Sequence, residues 1–597
     1  MQTLKKLLFL LTPHERKHAG LLLIMIIIMA LLDTIGIASI YPFMTVLTNP
    51  ELVETNIILN TMFQTSKVFG VENNQQFLFA LGIFMFIILV TSIIFKAFTS
   101  YAQIRFVLMR EYSFSRRLVE GYLHQPYTWF LNRHSADLGK TILSEIANII
   151  GSGINPMMAL ISTSMVTIAI VTLLIIADPN LAVIVGISFI AAYGVVFYVT
   201  RKIVHRAGEA RLKSNQVRFT SVIEAFGASK EVKVGGLEQT YIDRFSKSAK
   251  IFARSQASEA VISLLPRFIL EIIAFGGVLI IILSTMSISG NFNSILPIIS
   301  LYVFAGYRLM PALQQIYGAL TQLTFVGPSL DKLYEDIKSL NSFDENQNKG
   351  LLPLNKSITL KNVNYNYPNS SRTALKNISL TIPVKSTIGI VGPTGSGKST
   401  TVDIILGLLE VKNGKLEVDG KIVTKQNARS WQKSIGYVPQ SIFLSDDTVA
   451  ANIAFGIEPK DIDHEAVEKA SKIANLHDFV RDELPKQYNT SIGERGIRLS
   501  GGQRQRIGVA RALYHNPQVL ILDEATSALD NQTEQAVMDA INNLGKSITI
   551  ILIAHRLSTV KNCDNIFYLS KGELKGQGNF EDLKKNNLSF SKMQQGH

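Results

Sequence analysis

A single cysteine, Cys563, in 597 residues excludes a disulfide framework within the chain and any metal site built on several thiolates. Charged residues are sparse at 18%, and long apolar runs are absent after roughly residue 330. No cleavable signal peptide is evident. Leu4, Leu7, Leu8 and Leu11, with Lys5 and Lys6, recur at helical spacing and suit an interfacial helix leading into a membrane span. What is present is unevenly placed. The hydrophobic 47% gathers in the first part of the chain, which also holds the larger share of the +13 net charge. In a soluble protein that surplus would suggest nucleic acid. Beside membrane spans it reads as positive-inside charge, and no nucleic-acid partner is expected. The length calls for at least two domains.

A helix needs about 20 mostly apolar residues to cross the hydrocarbon core. Six stretches qualify, at residues 20–41, 77–98, 154–177, 181–199, 260–286 and 295–323, the last two interrupted by Arg267, Glu271 and Arg308. The links between them alternate. Residues 42–76, 178–180 and 287–294 hold Lys67 as their only cation, whereas 99–153 and 200–259 are rich in arginine and lysine, from Arg105 and Arg110 to Arg211 and Arg218. This bias places the long links, both termini and residues 330–597 in the cytoplasm. Phe219, Val222, Ile223 and Phe226 keep helical spacing, so the membrane helices are expected to continue well beyond the bilayer. Short segments near 122–130 and 236–245 would then touch the cytosolic domain; independent soluble hairpins are the alternative. The expected division is a transmembrane domain at 1–330, a linker at 331–354 and a nucleotide-binding domain at 355–597.

The second half handles phosphate. An apolar strand at Thr387–Val391 runs into Gly392, Pro393, Thr394, Gly395, Ser396, Gly397, Lys398, Ser399 and Thr400, followed by a helical pattern at 402–409. This is a P-loop in its required strand–loop–helix setting. Its glycines let backbone N–H groups wrap phosphates, Lys398 supplies positive charge and Ser399 can ligate Mg²⁺. A second apolar run, Val519 to Leu522, ends in Asp523 and Glu524. There Asp523 can join the Mg²⁺ shell and Glu524 can orient an attacking water.

Leu499-Ser500-Gly501-Gly502-Gln503 resembles the signature of ATP-binding cassette proteins. Tyr437-Val438-Pro439-Gln440 resembles the family's Q-loop, Ser527-Ala528-Leu529-Asp530 its D-loop and His555 its switch histidine. Tyr367 stands where the family has an aromatic that stacks on adenine, and residues 490–496 resemble the exporter-type loop that meets the membrane domain. Together with the six spans, this resembles an ABC exporter: an α-helical six-span transmembrane domain followed by an α/β P-loop domain. The resemblance implies ATP and Mg²⁺ as ligands, with Ser399, Gln440 and Asp523 toward the metal. It implies catalysis by Glu524, His555 and Gln440, in a homodimer that closes each nucleotide between one P-loop and the partner's Ser500–Gln503 stretch. Intact Glu524 and His555 disfavour a non-transporting nucleotide sensor.

Cargo is a separate question. Lys96, Arg267 and Arg308 lie within or at the ends of spans, where a cation marks function by default. By helical rise, Arg308 falls near mid-span, Arg267 nearer the cytoplasm and Lys96 nearest it, which would suit an anionic head group. The plainer readings are that Lys96 snorkels to the interface, that Glu271 neutralises Arg267 at i+4, and that Asp33 neutralises Arg308. The stretches Asp33-Thr34-Ile35-Gly36-Ile37, Pro266-Arg267 and Tyr307-Arg308-Leu309-Met310-Pro311 resemble bacterial flippases of lipid-linked oligosaccharides. That group has a short external helix between its first two spans, and here Leu59, Met62 and Phe63 have helical spacing. Where the group tends to place a further cation, this chain has Gln314 and Gln315. The resemblance implies flipping of a polyprenyl-pyrophosphate-linked glycan, or a related anionic lipid, across a bacterial cytoplasmic membrane. A general lipid or multidrug exporter is the nearest rival, and a peptide exporter a more distant one.

Overall fold

The computed structural model describes residues 2–177, 179–288, 296–340, 350–368, 370, 372–524, 531–544, 547–554 and 556–595. It divides into two compact units: Met1–Gln125 with Arg133–Ser342, and Pro126–Asn132 with Phe343–His597.

The first unit is helical. The helices Asn74–Leu123, Pro179–Gly227 and Glu238–Ile288 run 50, 49 and 51 residues. At 1.5 Å per residue each is roughly 75 Å long, more than twice the hydrocarbon thickness, so each extends far past a bilayer. Among the described residues, Pro13–Thr48, Asn74–Leu123 and Ser135–Ile176 carry stretches long and apolar enough to cross a membrane. Entry into the first of these is set locally. Thr12 and Glu15 form a reciprocal capping box and Pro13 opens the helix Pro13–Ala38, where its missing N–H is harmless. Leu21, Ile24, Leu31 and Ile35 along this helix are exposed, as lipid-facing residues are. The helix Gln2–Leu10 buries Leu7 and Leu10 and is tied by Lys6 to Asp331 at 2.7 Å.

The link between the first two spans carries the short helix expected from Leu59, Met62 and Phe63. It spans Ile57–Ser66, is capped by Asn56, and packs Leu59, Met62 and Phe63 with Val46, Val53, Val71, Phe77 and Leu81. The helical extensions beyond the spans hold a buried polar layer. Glu145 pairs with Arg211, both side chains 4% exposed, while Asn215 Nδ2 donates to Glu145 Oε1 at 2.8 Å and Arg211 donates to Ser329 Oγ at 3.3 Å.

The second unit contains two sheets. One has the order β2-β1-β4-β5, formed by β1 (Ser357–Asn366), β2 (Thr373–Pro383), β4 (Asn413–Val418) and β5 (Lys421–Ile422), all antiparallel. The other comprises β3 (Thr387–Val391), β6 (Ile435–Val438), β7 (Val519–Asp523), β8 (Thr549–Ile553), β9 (Asn565–Ser570) and β10 (Glu573–Gly578), in the order β10-β9-β3-β8-β7-β6. Its pairs are parallel except β9–β10. β3 and β8 are buried along their whole length, which is why they read as continuous apolar runs rather than alternating ones. Cys563 is buried beside β3, and burial pushes its thiol up to about 12.

Candidate active site

β3 delivers the chain into a loop that only glycine can follow at two points. Gly392 has φ +154, and a Cβ there would lie 2.1 Å from the Leu569 carbonyl oxygen; Gly397 has φ +104, and its Cβ would meet Leu375 Cδ2 at 2.6 Å. The helix Lys398–Ile405 starts directly afterwards, so its unpaired N–H groups face the loop. Lys398 is 6% exposed, with Nζ donating to the carbonyls of Gly392 at 2.7 Å and Pro393 at 3.3 Å. Burial lowers its pKa, against the pull of Glu524 and Asp523. Ser396 Oγ is buried with no hydrogen-bond partner among the described residues. A buried cation, an orphaned hydroxyl and a helix N-terminus around one loop fit a polyphosphate. Thr394 and Ser399 are exposed at this loop.

Tyr367 lies over the same helix. Its hydroxyl is 3.1 Å from Thr400 Oγ1 and its ring stands edge-on to Tyr365, with centroids 5.2 Å apart. Asp403, one turn further along, was not singled out from the sequence. Burial and the Asp523 carboxylate raise its pKa to about 6. An acid at i+4 from Ser399 was the available signal.

The strand ends bring the remaining groups together. β6 and β7 are parallel neighbours with Val438 opposite Leu522, so the residues two beyond each, Gln440 and Glu524, emerge side by side. Gln440 Nε2 donates to Glu524 Oε2 at 2.7 Å. Ser500 caps the helix Gly501–Tyr514 through a reciprocal box, accepting from Gln503 N at 3.2 Å while Gln503 Oε1 accepts from Ser500 N at 2.8 Å. The loop of Gly501 and Gly502 is therefore a true helix N-terminus, as a phosphate receptor requires. Among the described residues no hydrogen bond joins Ser500–Gln503 to the P-loop of the same chain. His555 and residues 527–530 lie outside the described residues. Among those described, no three His, Cys, Asp or Glu side chains cluster as a metal site. A hydroxyl, a carboxylate and an amide (Ser399, Asp523 and Gln440) are hard oxygen donors that suit Mg²⁺ completed by nucleotide and water.

In the membrane unit, Lys96 Nζ lies 3.7 Å from Asp33 Oδ2, with the lysine side chain 46% exposed and the aspartate 1%. Ser92 Oγ donates to Asp33 Oδ1 at 2.8 Å. Arg267 Nε donates to Glu271 Oε1 at 2.9 Å, the i+4 pairing weighed from the sequence. The Arg308 side chain lies outside the described residues. Gln315 accepts from Thr163 Oγ1 at 2.8 Å.

Comparison with known proteins agrees with this geometry. Residues 19–311 match the family described as ABC transporter transmembrane region, and 375–527 match ABC transporter. An ATP-dependent lipid A-core flippase of Cupriavidus metallidurans is 30% identical over 472 residues, 77% of each chain. One from Saccharophagus degradans is 30% identical over 472 residues, 78% of each. The solved structure of a bacterial Atm1-family ABC exporter with ATP bound superposes with a TM-score of 0.76 over 97% of both chains at 22% identity, a likeness of fold. The chain belongs to the ABC transporters, as an exporter-type half-transporter that hydrolyses ATP.

Proposed function

We propose that this exporter flips an anionic lipid-linked substrate from the cytoplasmic to the outer leaflet of a bacterial cytoplasmic membrane, working as a homodimer with both termini and the cassette in the cytoplasm. The observation that carries the proposal is the half-exposed cation Lys96, kept inside an apolar helix by a nearly fully buried carboxylate. Sustaining such a pair in a membrane segment is unfavourable without a use for it. An incoming phosphate competes with Asp33 for Lys96 and with Glu271 for Arg267, which favours a multiply charged head group over a weak anion. The relatives' activity on lipid A-core supports a lipid substrate. Within that class our reading is a polyprenyl-pyrophosphate-linked glycan or a related anionic glycolipid, with Arg308 as a third receptor.

In the cassette, Lys398 and the loop from Gly392 to Thr400 hold the phosphates and Tyr367 stacks on the base. Ser399, Asp523 and Gln440 would hold Mg²⁺, which when bound supplies charge neutralisation at the transferring phosphoryl group. Glu524 orients the attacking water, with His555 as the switch residue. Ser500, Gly501, Gly502 and Gln503 close on the nucleotide held by the other copy.

Proteoliposomes test the cargo. ATPase stimulation and flipping are measured with a polyprenyl-pyrophosphate glycan, with a lipid A-type glycolipid and with amphiphilic cations, for the parent, Lys96→Ala, Arg267→Ala and Arg308→Ala. The proposal expects stimulation by the anionic lipids and its loss in the variants. Stimulation by cations alone, or equal handling of pyrophosphate lipid by all four proteins, would overturn it.

A further inference from the structure

Gln440 lies between two anchors. On one side is β6, ending at Val438 in the parallel sheet. On the other, residues 443–455 return to the signature helix Gly501–Tyr514, where one side chain grips them. Arg511 donates from Nε to the Asn452 carbonyl at 2.7 Å, from Nη1 to the Phe443 carbonyl at 2.8 Å and from Nη2 to Asn452 Oδ1 at 3.2 Å. Its guanidinium stacks 4.5 Å from the centre of the Phe455 ring. Asn452 is itself fully buried and binds Ser445 and Thr448, so the segment moves with the grip. The three oxygens that accept from Arg511 here are uncharged, and taking part of a guanidinium out of water is unfavourable unless its donors are met. The arrangement needs a planar fork with donors in fixed directions, which lysine lacks.

We infer that Arg511 is a positioning residue for hydrolysis: it makes the signature helix and the root of the Gln440 loop one body. A shift of Ser500–Gln503 relative to the sheet then shifts Gln440 relative to Glu524, which is carried by β7. Only Ser441 and Ile442 separate Gln440 from the gripped Phe443, too short a tether to absorb much of such a shift. The state of the signature is thereby communicated to the group that holds Glu524. This inference rests on the roles proposed above for Gln440, Glu524 and the signature residues.

The test is a double-mutant cycle in the full-length protein in proteoliposomes, with Arg511→Lys, Gln440→Ala and their combination read as kcat and KM for MgATP. Arg511→Lys is expected to lower kcat about tenfold with KM within about twofold, and to cost nothing further in the Gln440→Ala background. A merely structural arginine gives losses that multiply, and that result overturns the inference. So does a kcat for Arg511→Lys within about twofold of the parent. If Gln440→Ala leaves kcat unchanged, the reading of Gln440 itself is wrong and the inference falls with it; this outcome is distinct from multiplied losses. Should Arg511→Lys not fold, Phe455→Leu removes the stacked ring and leaves the hydrogen bonds. It is expected to give a smaller loss of kcat that also vanishes beside Gln440→Ala, and a loss that persists there overturns the inference.

Discussion

The side-chain amide of Gln440 donates to Glu524 Oε2 at 2.7 Å across the ends of two adjacent parallel strands. Glu524 adopts φ +49, a left-handed conformation uncommon for a residue with a Cβ, and its N–H donates to the Ile553 carbonyl at 3.1 Å. The carboxylate is thus placed by backbone constraint on one side and an amide on the other. Glu524→Gln keeps the shape and removes the charge. Hydrolysis is expected to fall by about 10²–10⁴-fold, the usual contribution of such a group, while the thermal shift induced by MgATP persists. Phosphate release within about tenfold of the parent would refute the assignment.

Lys398 is buried, its ammonium rests on its own loop carbonyls, and the Asp523 and Glu524 carboxylates act on it electrostatically. Lys398→Ala is expected to abolish nucleotide-dependent stabilisation. A ligand present at about 100 times its Kd raises stability by about 2.7 kcal/mol in the parent, and none of that should remain. Thermal unfolding with and without ATP checks this; a preserved shift would show that the phosphates bind elsewhere.

Asp403 offers a pH signature. Its pKa is about 6 in the folded cassette against an ordinary 3.8, so the folded chain holds the proton more tightly than the unfolded one. The stabilisation that follows is complete below the ordinary value and is lost as pH rises through about 6. Asp403→Asn cannot ionise. Nucleotide-free, it should exceed the parent in stability near pH 8 by on the order of 2 kcal/mol, and the gap should close toward pH 4. Melting curves across that range decide it. A difference independent of pH would mean that Asp403 carries no such burden.

The buried pair of Glu145 and Arg211 makes a prediction for the membrane unit. Arg211→Met strands a carboxylate that is 4% exposed and should cost about 3–5 kcal/mol. Replacing both, with Glu145→Leu beside Arg211→Met, should recover most of that loss, because two desolvation penalties vanish together. Denaturation in detergent compares the three proteins, and losses that simply add would refute the coupling.

Much of this molecule is determined locally and is therefore legible in one dimension. Spans follow from about 20 apolar residues in a row. The P-loop follows from glycines at positions such as Gly392 and Gly397, where a Cβ has no room. The Ser500–Gln503 cap and the Arg267–Glu271 pair span three and four residues, within reach of any helical reading. Tertiary structure alone decided which distant groups meet. Gln440 and Glu524 are 84 residues apart and touch because β6 and β7 are neighbours in the sheet, an order no periodicity encodes. Asp33 faces Ser92 and Lys96 because of the way two spans rotate against each other. Asp403 owes its pKa to burial and Asp523, and Arg511 owes its grip to a segment that folds back 59 residues away in sequence. Hydrophobic pattern and turn chemistry act between near neighbours along the chain. Charge pairing and desolvation act across whatever distance the fold has closed.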